Sequence, residues 1–414
     1  MKKLALPWLA LLLGAPAFAT ETLSLSEALR LAEARAPQIA AAAARGHAAH
    51  EMAVAAGELP DPVLKLGVNN VPISGEMAWS LTRDSMTMRS VGLMQEFTRS
   101  DKREARRNRS EREAELAREQ ARRAQADTAR DTALAWLDLS YLQRMRALLV
   151  GQVDELGLQV QSAESAFRAG RGAQADIFAL RGESSRLQLQ LSQMDGEIAM
   201  ASARLERWLG FAPPSLTPPP DTSRLDWALP VGDDLHALDS HPTLSTLSSQ
   251  TAMRDAEARL ARANRKSDIA VELMFSQRGP AYDNMVSLNL SMPLPWNRGQ
   301  RQDRELAASL AMAEQMRAEQ EDMRRAYRAE LTGLHAVWQN ALKRSASYDK
   351  ELVPLAEQQT QAALAAYRAG NGMLMAVLEA RRMQLDTRME QQRTALEAAR
   401  AWAQLNFLNP GAQP

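Results

Sequence analysis

The polarity of the chain switches to a two-residue period in four short stretches and is helical almost everywhere else. From Val63 to Asn69, Leu64, Leu66 and Val68 alternate with Val63, Lys65, Gly67 and Asn69. From Ser90 to Phe97, Val91, Leu93 and Phe97 alternate with Ser90, Gly92, Met94 and Glu96. The period returns with Ile269, Val271, Leu273 and Phe275 against Ala270, Glu272, Met274 and Ser276, and with Val286, Leu288, Leu290 and Met292 against Ser287, Asn289, Ser291 and Pro293. Successive side chains of a strand point to opposite faces, so each stretch predicts a strand with one apolar and one polar face. Taken alone, either pair also fits an ordinary half-buried hairpin.

Helical spacing surrounds these strands. Leu25 to Ala34 predicts a helix capped by Ser24 or Ser26. Pro37 interrupts it, and an Ala-rich helix follows to about Leu59, where Pro60-Asp61-Pro62 ends it. From about Asp101 to Phe167 the chain reads as one helix, with no proline and only Gly151 and Gly157 as weak points. At 1.5 Å per residue it is roughly 100 Å long, more than a globular core needs. Ala114, Ala117, Ala121, Ala124 and Thr128 step by three and four like a coiled-coil seam, which lets helices approach closely. The charges from Arg103 to Arg123 read as its solvated face. A second long helix is predicted from about Gly299 to Tyr367. Shorter helices over 173–209 and 373–408 complete the pattern, so that two short helices stack end to end beside each long one.

Each long helix stops at a repeated motif. Ala166-Phe167-Arg168-Ala169-Gly170-Arg171-Gly172 recurs as Ala366-Tyr367-Arg368-Ala369-Gly370-Asn371-Gly372. Glycine takes the left-handed conformation that closes a helix, and a new helical pattern begins at once after each copy, so both read as hairpin tips. His241-Pro242-Thr243-Leu244 likewise echoes Ala36-Pro37-Gln38-Ile39. The chain is therefore an internal repeat. We assign 1–19 as signal peptide, 20–212 as the first repeat, 213–232 as a stiff Pro-rich linker, 233–409 as the second repeat and 410–414 as a tail.

Composition narrows the possibilities. The 414 residues carry 50 basic and 50 acidic side chains, so the electrostatic footprint of a nucleic-acid partner is missing. The absence of cysteine excludes disulfides, thiolate metal sites, a Cys nucleophile and a lipid-anchored N-terminal cysteine. Lys2-Lys3, the apolar run Leu4 to Leu13, and Ala17-Phe18-Ala19 before Thr20 have the three parts of a secretory signal. That run is too short to span a bilayer as a helix, which takes ~20 apolar residues, so any membrane embedding must use the strands. An open four-stranded sheet leaves unpaired backbone groups in lipid, and the smallest bacterial barrels have about eight strands. Two chains would supply eight; three would supply twelve and leave room for a water-filled lumen. The expected fold is α+β, mostly α: a long antiparallel α-helical coiled-coil barrel plus four transmembrane strands per chain, closing a 12-stranded barrel as a homotrimer.

The order helix, two strands, long helix, tip, helix, given twice with paired tips, resembles the outer-membrane factors of tripartite efflux systems, the TolC family. The resemblance covers essentially the whole mature chain. Within the family, Pro60 through Pro72 and Met292-Pro293-Leu294-Pro295-Trp296 resemble the heavy-metal branch. The resemblance implies a trimeric barrel in outer-membrane lipid and a helical tunnel through the periplasm. It also implies a periplasmic adaptor (membrane fusion) protein and an inner-membrane, proton-driven RND-type pump as partners, and no cofactor. It assigns the tip residues Gly170, Arg171, Gly172, Gly370, Asn371 and Gly372 to adaptor docking, and Asp176 and Glu379 to the pore constriction. In relatives the aspartate matching Asp176 holds the closed state through an arginine whose place here is Gly372, so that link cannot form as such. Ala376 replaces one of the two acidic residues of the constriction and Glu379 retains the other. Arg381 and Arg382 offer Glu379 local partners, and Glu390 is expected to lie outside the throat.

Other chemistry is sparse. His47 and His50, with Glu51 or Met52 nearby, form at best a weak metal site without a third fixed ligand and read as surface histidines. Met86, Met88 and Met94 could meet soft ions such as Cu(I), against the plainer reading of methionine as filler. No Ser/His/Asp or HExxH arrangement is visible, so no catalytic residue is assigned. The expected function is a passive exit duct for heavy-metal cations. The alternatives are the same channel serving drug efflux or type I protein secretion, and a soluble periplasmic coiled-coil scaffold, which predicts no alternating strands.

Overall fold

The structure, a computed structural model, describes residues 22–220 and 241–407. The signal peptide assigned to 1–19, residues 221–232 of the linker and the tail lie outside the described residues.

The first repeat opens with α1 (Leu25–Arg35), begun by Ser24, whose hydroxyl accepts a hydrogen bond from the Glu27 amide at 3.2 Å. Next come α2 (Pro37–Ala56), β1 (Val63–Asn69), β2 (Met88–Phe97), α3 (Ser100–Arg168) and α4 (Gln174–Leu209). The second repeat runs through α5 (Pro242–Ala263), β3 (Ile269–Gln277), β4 (Met285–Ser291), α6 (Gln302–Ser347), α7 (Val353–Arg368) and α8 (Leu374–Asn406). Pro37 and Pro242 open α2 and α5, where the missing amide hydrogen costs nothing because a first turn has no acceptor for it. The echo around the two prolines is thus one helix start used twice.

The strands form one antiparallel sheet in the order β1-β2-β3-β4, joining the two repeats through β2 and β3. Its register aligns Leu64, Leu93, Leu273 and Leu288 on one face, and Leu66, Val91, Phe275 and Val286 one rung further along the same face. Leu290, at 73% exposure, continues that apolar surface. The opposite face carries Lys65, Gly92, Met274 and Ser287 on a single rung. Here Lys65 Nζ reaches across β2 to Glu272 Oε2 at 2.8 Å. Within the chain β1 and β4 are edge strands.

Below the sheet, α3 is unbroken for 69 residues, roughly 100 Å. Its seam is buried in part: Ala114 and Ala117 are 3% exposed and Thr128 is fully covered, while Ala121 and Ala124 are half-buried. The near half lies against α2, where Gln38 donates to Thr128 Oγ1 at 2.8 Å, and the far half against α4, where Arg181 pairs with Glu164 at 2.6 Å and Arg146 with Asp195 at 2.5 Å. The second repeat copies this with α5 and α8. Arg317 meets Asp255 at 2.5 Å, Arg344 pairs with Glu397, and the Thr360 hydroxyl donates to the Ala380 carbonyl at 3.1 Å. Between the halves, Trp136, Tyr141, Leu205, Trp402 and Phe407 form a core that the N-terminal strap closes. Trp136 Nε1 donates to the Leu23 carbonyl at 3.2 Å, and the Leu23 amide donates to Ser215 at 2.8 Å.

The second long helix departs from its expected continuity. A single π turn, Tyr348–Leu352, separates α6 from α7, and the Val353 amide donates to the Tyr348 carbonyl five residues back. Pro354 is the cause. It has no amide hydrogen and its ring crowds the preceding turn, so the helix widens by one residue rather than breaking. A short 3-10 turn, Arg298–Gln300, also precedes α6.

Candidate functional site: the hairpin tips and the groove behind them

Both tips are the same six-residue closure. At the first, the Gly170 amide donates to Phe167 at 2.9 Å and the Arg171 amide to Ala166 at 2.9 Å; at the second, Gly370 donates to Tyr367 and Asn371 to Ala366, both at 3.0 Å. This is the Schellman pattern, and it needs a left-handed residue at its centre. Gly170 has φ 70° and Gly370 φ 78°. The second glycine of each motif is required for another reason. A Cβ on Gly172 would lie 3.1 Å from the Phe167 nitrogen, and one on Gly372 only 2.9 Å from the Tyr367 nitrogen. Arg171 and Asn371 stand exposed at the apex, flanked by exposed apolar side chains including Phe178, Met373 and Met375.

Asp176 sits in the first turn of α4, half-buried, with its amide donating to Ala173 at 3.2 Å. A carboxylate there meets the positive end of the helix. Glu379 is exposed on α8, and Leu180 of α4 packs in one core with Leu374 and Leu378 of α8, which ties together the starts of the two helices bearing these acids. Glu379 opens onto a groove of about 930 Å³ between α4, α7 and α8. Glu197, Gln359, Asp386 and Glu390 line the same groove, beside Tyr348 of the π turn.

Two expectations need correcting here. Arg381 is no partner of Glu379: it is buried on the far side of α8, with Nη1 2.5 Å from Glu155 Oε1 of α3. The Gln159 amide oxygen, turned toward it, accepts from the same guanidinium at 2.6 and 3.0 Å. Nor is Glu390 remote, since it shares the groove with Glu379. The signal was legible, because 379, 382, 386, 390 and 393 step by three and four along one helix face. His47 and His50 lie exposed on α2, with His47 Nε2 3.9 Å from Glu51. Among the described residues no cluster of three or more His, Asp or Glu could hold a metal ion.

Residues 28–211 match the family described as outer membrane efflux protein. That segment holds α1 through α4 with the first strand pair, and the second half of the chain repeats the same order. Solved structures agree over nearly the full length. The outer-membrane channel OprN superposes with a TM-score of 0.78 at 18% identity, covering 94% of this chain and 91% of its own. CusC gives 0.80 at 16%, covering 94% and 92%, and the Neisseria gonorrhoeae outer membrane channel MtrE gives 0.76 at 14%, covering 94% and 91%. The described residues have the fold of the outer-membrane efflux channels. No curated protein matches the chain in sequence. The matched family and these structural neighbours are outer-membrane channels that extend into the periplasm, passive and not enzymes. Among the described residues no helix is long and apolar enough to cross a membrane. The strands also set aside the soluble scaffold, which has no use for them.

Proposed function

We propose that three copies close a twelve-stranded barrel and that the assembly is the exit duct for heavy-metal cations. The observation that carries this reading is the sheet itself: one apolar exposed face, one polar face, and two edges with no partner among the described residues. Each unpaired backbone group in hydrocarbon costs several kcal/mol, so the edges must be paired by other copies. The cargo is supported by the resemblance of 60–72 and 292–296 to the heavy-metal branch and by the carboxylates that gather at the groove. In this reading the two tips dock a periplasmic adaptor that couples the duct to an inner-membrane RND-type pump. Asp176 and Glu379 narrow the pore behind them, with Gly372 leaving Asp176 without the arginine that relatives use. The test is a deletion strain grown on Cu, Ag, Zn, Cd, Co and Ni salts beside dyes and detergents. Sensitivity to a metal salt, restored by the full-length gene, is expected. Sensitivity to organic compounds alone, or a lost secreted protein, would assign the channel to drug efflux or type I secretion instead.

A further inference from the structure

Every methionine of the four strands falls on the polar face. Met88 and Met94 of β2, Met274 of β3 and Met285 of β4 all share the phase of Lys65, Gly92 and Glu272. The lipid-facing phase is built of leucine, valine, isoleucine and phenylalanine, with Arg89, Gln95 and Gln277 toward the strand ends, and contains none. Methionine used as apolar filler belongs against lipid, because the inner wall of a water-filled barrel is polar.

Their heights are equally ordered. The inward rungs read Val63, Met94, Glu272, Asn289; then Lys65, Gly92, Met274, Ser287; then Gly67, Ser90, Ser276, Met285; then Asn69 with Met88. Each of these four rungs carries one thioether per chain, from Met94 near the helices to Met88 near the outer loops; the rung nearest the helices, Glu96, Ala270 and Ser291, carries none. Successive rungs lie two residues apart, about 6.6 Å. Methionine has three rotatable bonds, so its sulfur can swing toward the rung above or below. Met88, Met94 and Met274 are half-buried and Met285 is exposed, so the side chains are accessible along this wall.

We infer that this wall is a thioether ladder that passes soft monovalent cations, Cu(I) or Ag(I), through the barrel. The inference rests on the metal-exit reading above and names its cargo class. Thioethers favour Cu(I)-like ions over Zn(II) or Mg(II), and as neutral ligands they hold a passing ion without the charge that would trap it. The carboxylate within the ladder is already occupied, since Glu272 is paired with Lys65 at 2.8 Å. The other inward residues between Met94 and Met285 are serine, asparagine, glycine and valine, which offer a divalent ion no charged ligand.

The test is oxidation footprinting of the wild-type, full-length protein in detergent, in chloride-free buffer with hydrogen peroxide. Silver nitrate is expected to lower sulfoxide formation at Met88, Met94, Met274 and Met285, with Met77 and Met292, outside the strands, unprotected and zinc nitrate without effect. Equal oxidation with and without silver, or protection shared by Met77 and Met292, would overturn the ladder. In planar bilayers, Met94→Leu with Met274→Leu should abolish silver-dependent block while potassium conductance is kept; block that persists in that variant also overturns it. The strain test stands apart: metal sensitivity without silver protection sinks the ladder alone, whereas silver protection without any metal sensitivity sinks the cargo reading.

Discussion

Arg381 Nη1 lies 2.5 Å from Glu155 Oε1, tying α8 to α3 behind the tips. The two ends of the pair differ, because the Arg381 side chain is 9% exposed and that of Glu155 is 50% exposed. Losing Glu155 strands a buried guanidinium, whereas losing Arg381 releases a carboxylate that water already reaches. Glu155→Ala is expected to destabilise the helical domain by about 1–3 kcal/mol, the cost of leaving buried donors short of acceptors. Arg381→Met, which keeps the volume and removes the charge, should cost less. Thermal unfolding followed by circular dichroism in detergent ranks the two. The reverse order would show that Gln159 alone satisfies Arg381.

Alanine at two tip glycines and at one glycine inside α3 separates three effects. Gly370→Ala forces a side chain into the left-handed region, at about 1–2 kcal/mol. Gly372→Ala meets the Tyr367 backbone nitrogen and must displace the turn. Gly151→Ala, inside α3 with nothing within 4 Å of the new atom, should be neutral or stabilise by about 0.5–1 kcal/mol. Efflux by the two tip variants is expected to fall while membrane insertion holds, since the barrel lies roughly 100 Å away. Full resistance in both would remove the tips from docking.

The sequence made the periodic parts legible and hid what depends on the roll of one helix against another. β1 was readable to its last residue because Leu64, Leu66 and Val68 alternate without fault, and the tips because both copies obey one backbone rule. The π turn at Tyr348–Leu352 leaves no mark on the periodicity, since the helical pattern runs on through Ser347 and Leu352, and only Pro354 signals it. Arg381 was read as a neighbour of Glu379 from adjacency alone, but two positions on a helix are about 200° apart, which turns one toward the groove and the other into α3. His241 was read only as a proline echo. Its stacking on Tyr327, with ring centroids 4.2 Å apart, joins residues that no local pattern links.

That stacked pair predicts a pH dependence. His241 Nδ1 caps α5 by accepting from the Thr243 amide at 3.2 Å, and Nε2 has no partner among the described residues. Burial pushes its pKa down to about 4; Asp127 opposes the shift, and Arg123 and Arg130 add to it. The unfolded chain therefore takes up this proton first. The stability it contributes is complete above pH 6.5 and is lost as pH falls toward 4, to a limit of about 3 kcal/mol at 1.36 kcal/mol per unit. Unfolding midpoints measured between pH 7 and 4.5 should fall more steeply for the wild type than for His241→Asn, which keeps a capping acceptor and does not titrate. Parallel slopes would remove His241 from the acid response.

Glu379 remains the sharpest test of the proposed throat. It lies nine residues past Gly370, about two and a half turns, and threefold symmetry would bring three carboxylates around one axis. A ring of carboxylates in a narrow aqueous passage draws cations without fixing them in a rigid coordination shell. Arg381 does not neutralise it, being committed to Glu155. Asp386 and Glu390 line the same groove, together with Arg382 and Arg393, the latter 3.3 Å from Glu390, so their variants should show a weaker form of the same phenotype and cannot serve as controls. Glu319, exposed on α6 and hydrogen-bonded by Gln315 at 2.8 Å, is the better reference. In planar bilayers, Glu379→Gln is expected to reduce cation selectivity and relieve block by added divalent or trivalent ions, Glu390→Gln to do so partially, and Glu319→Gln to do neither. Unchanged selectivity and block in the Glu379 variant would place the constriction elsewhere on the inner helices.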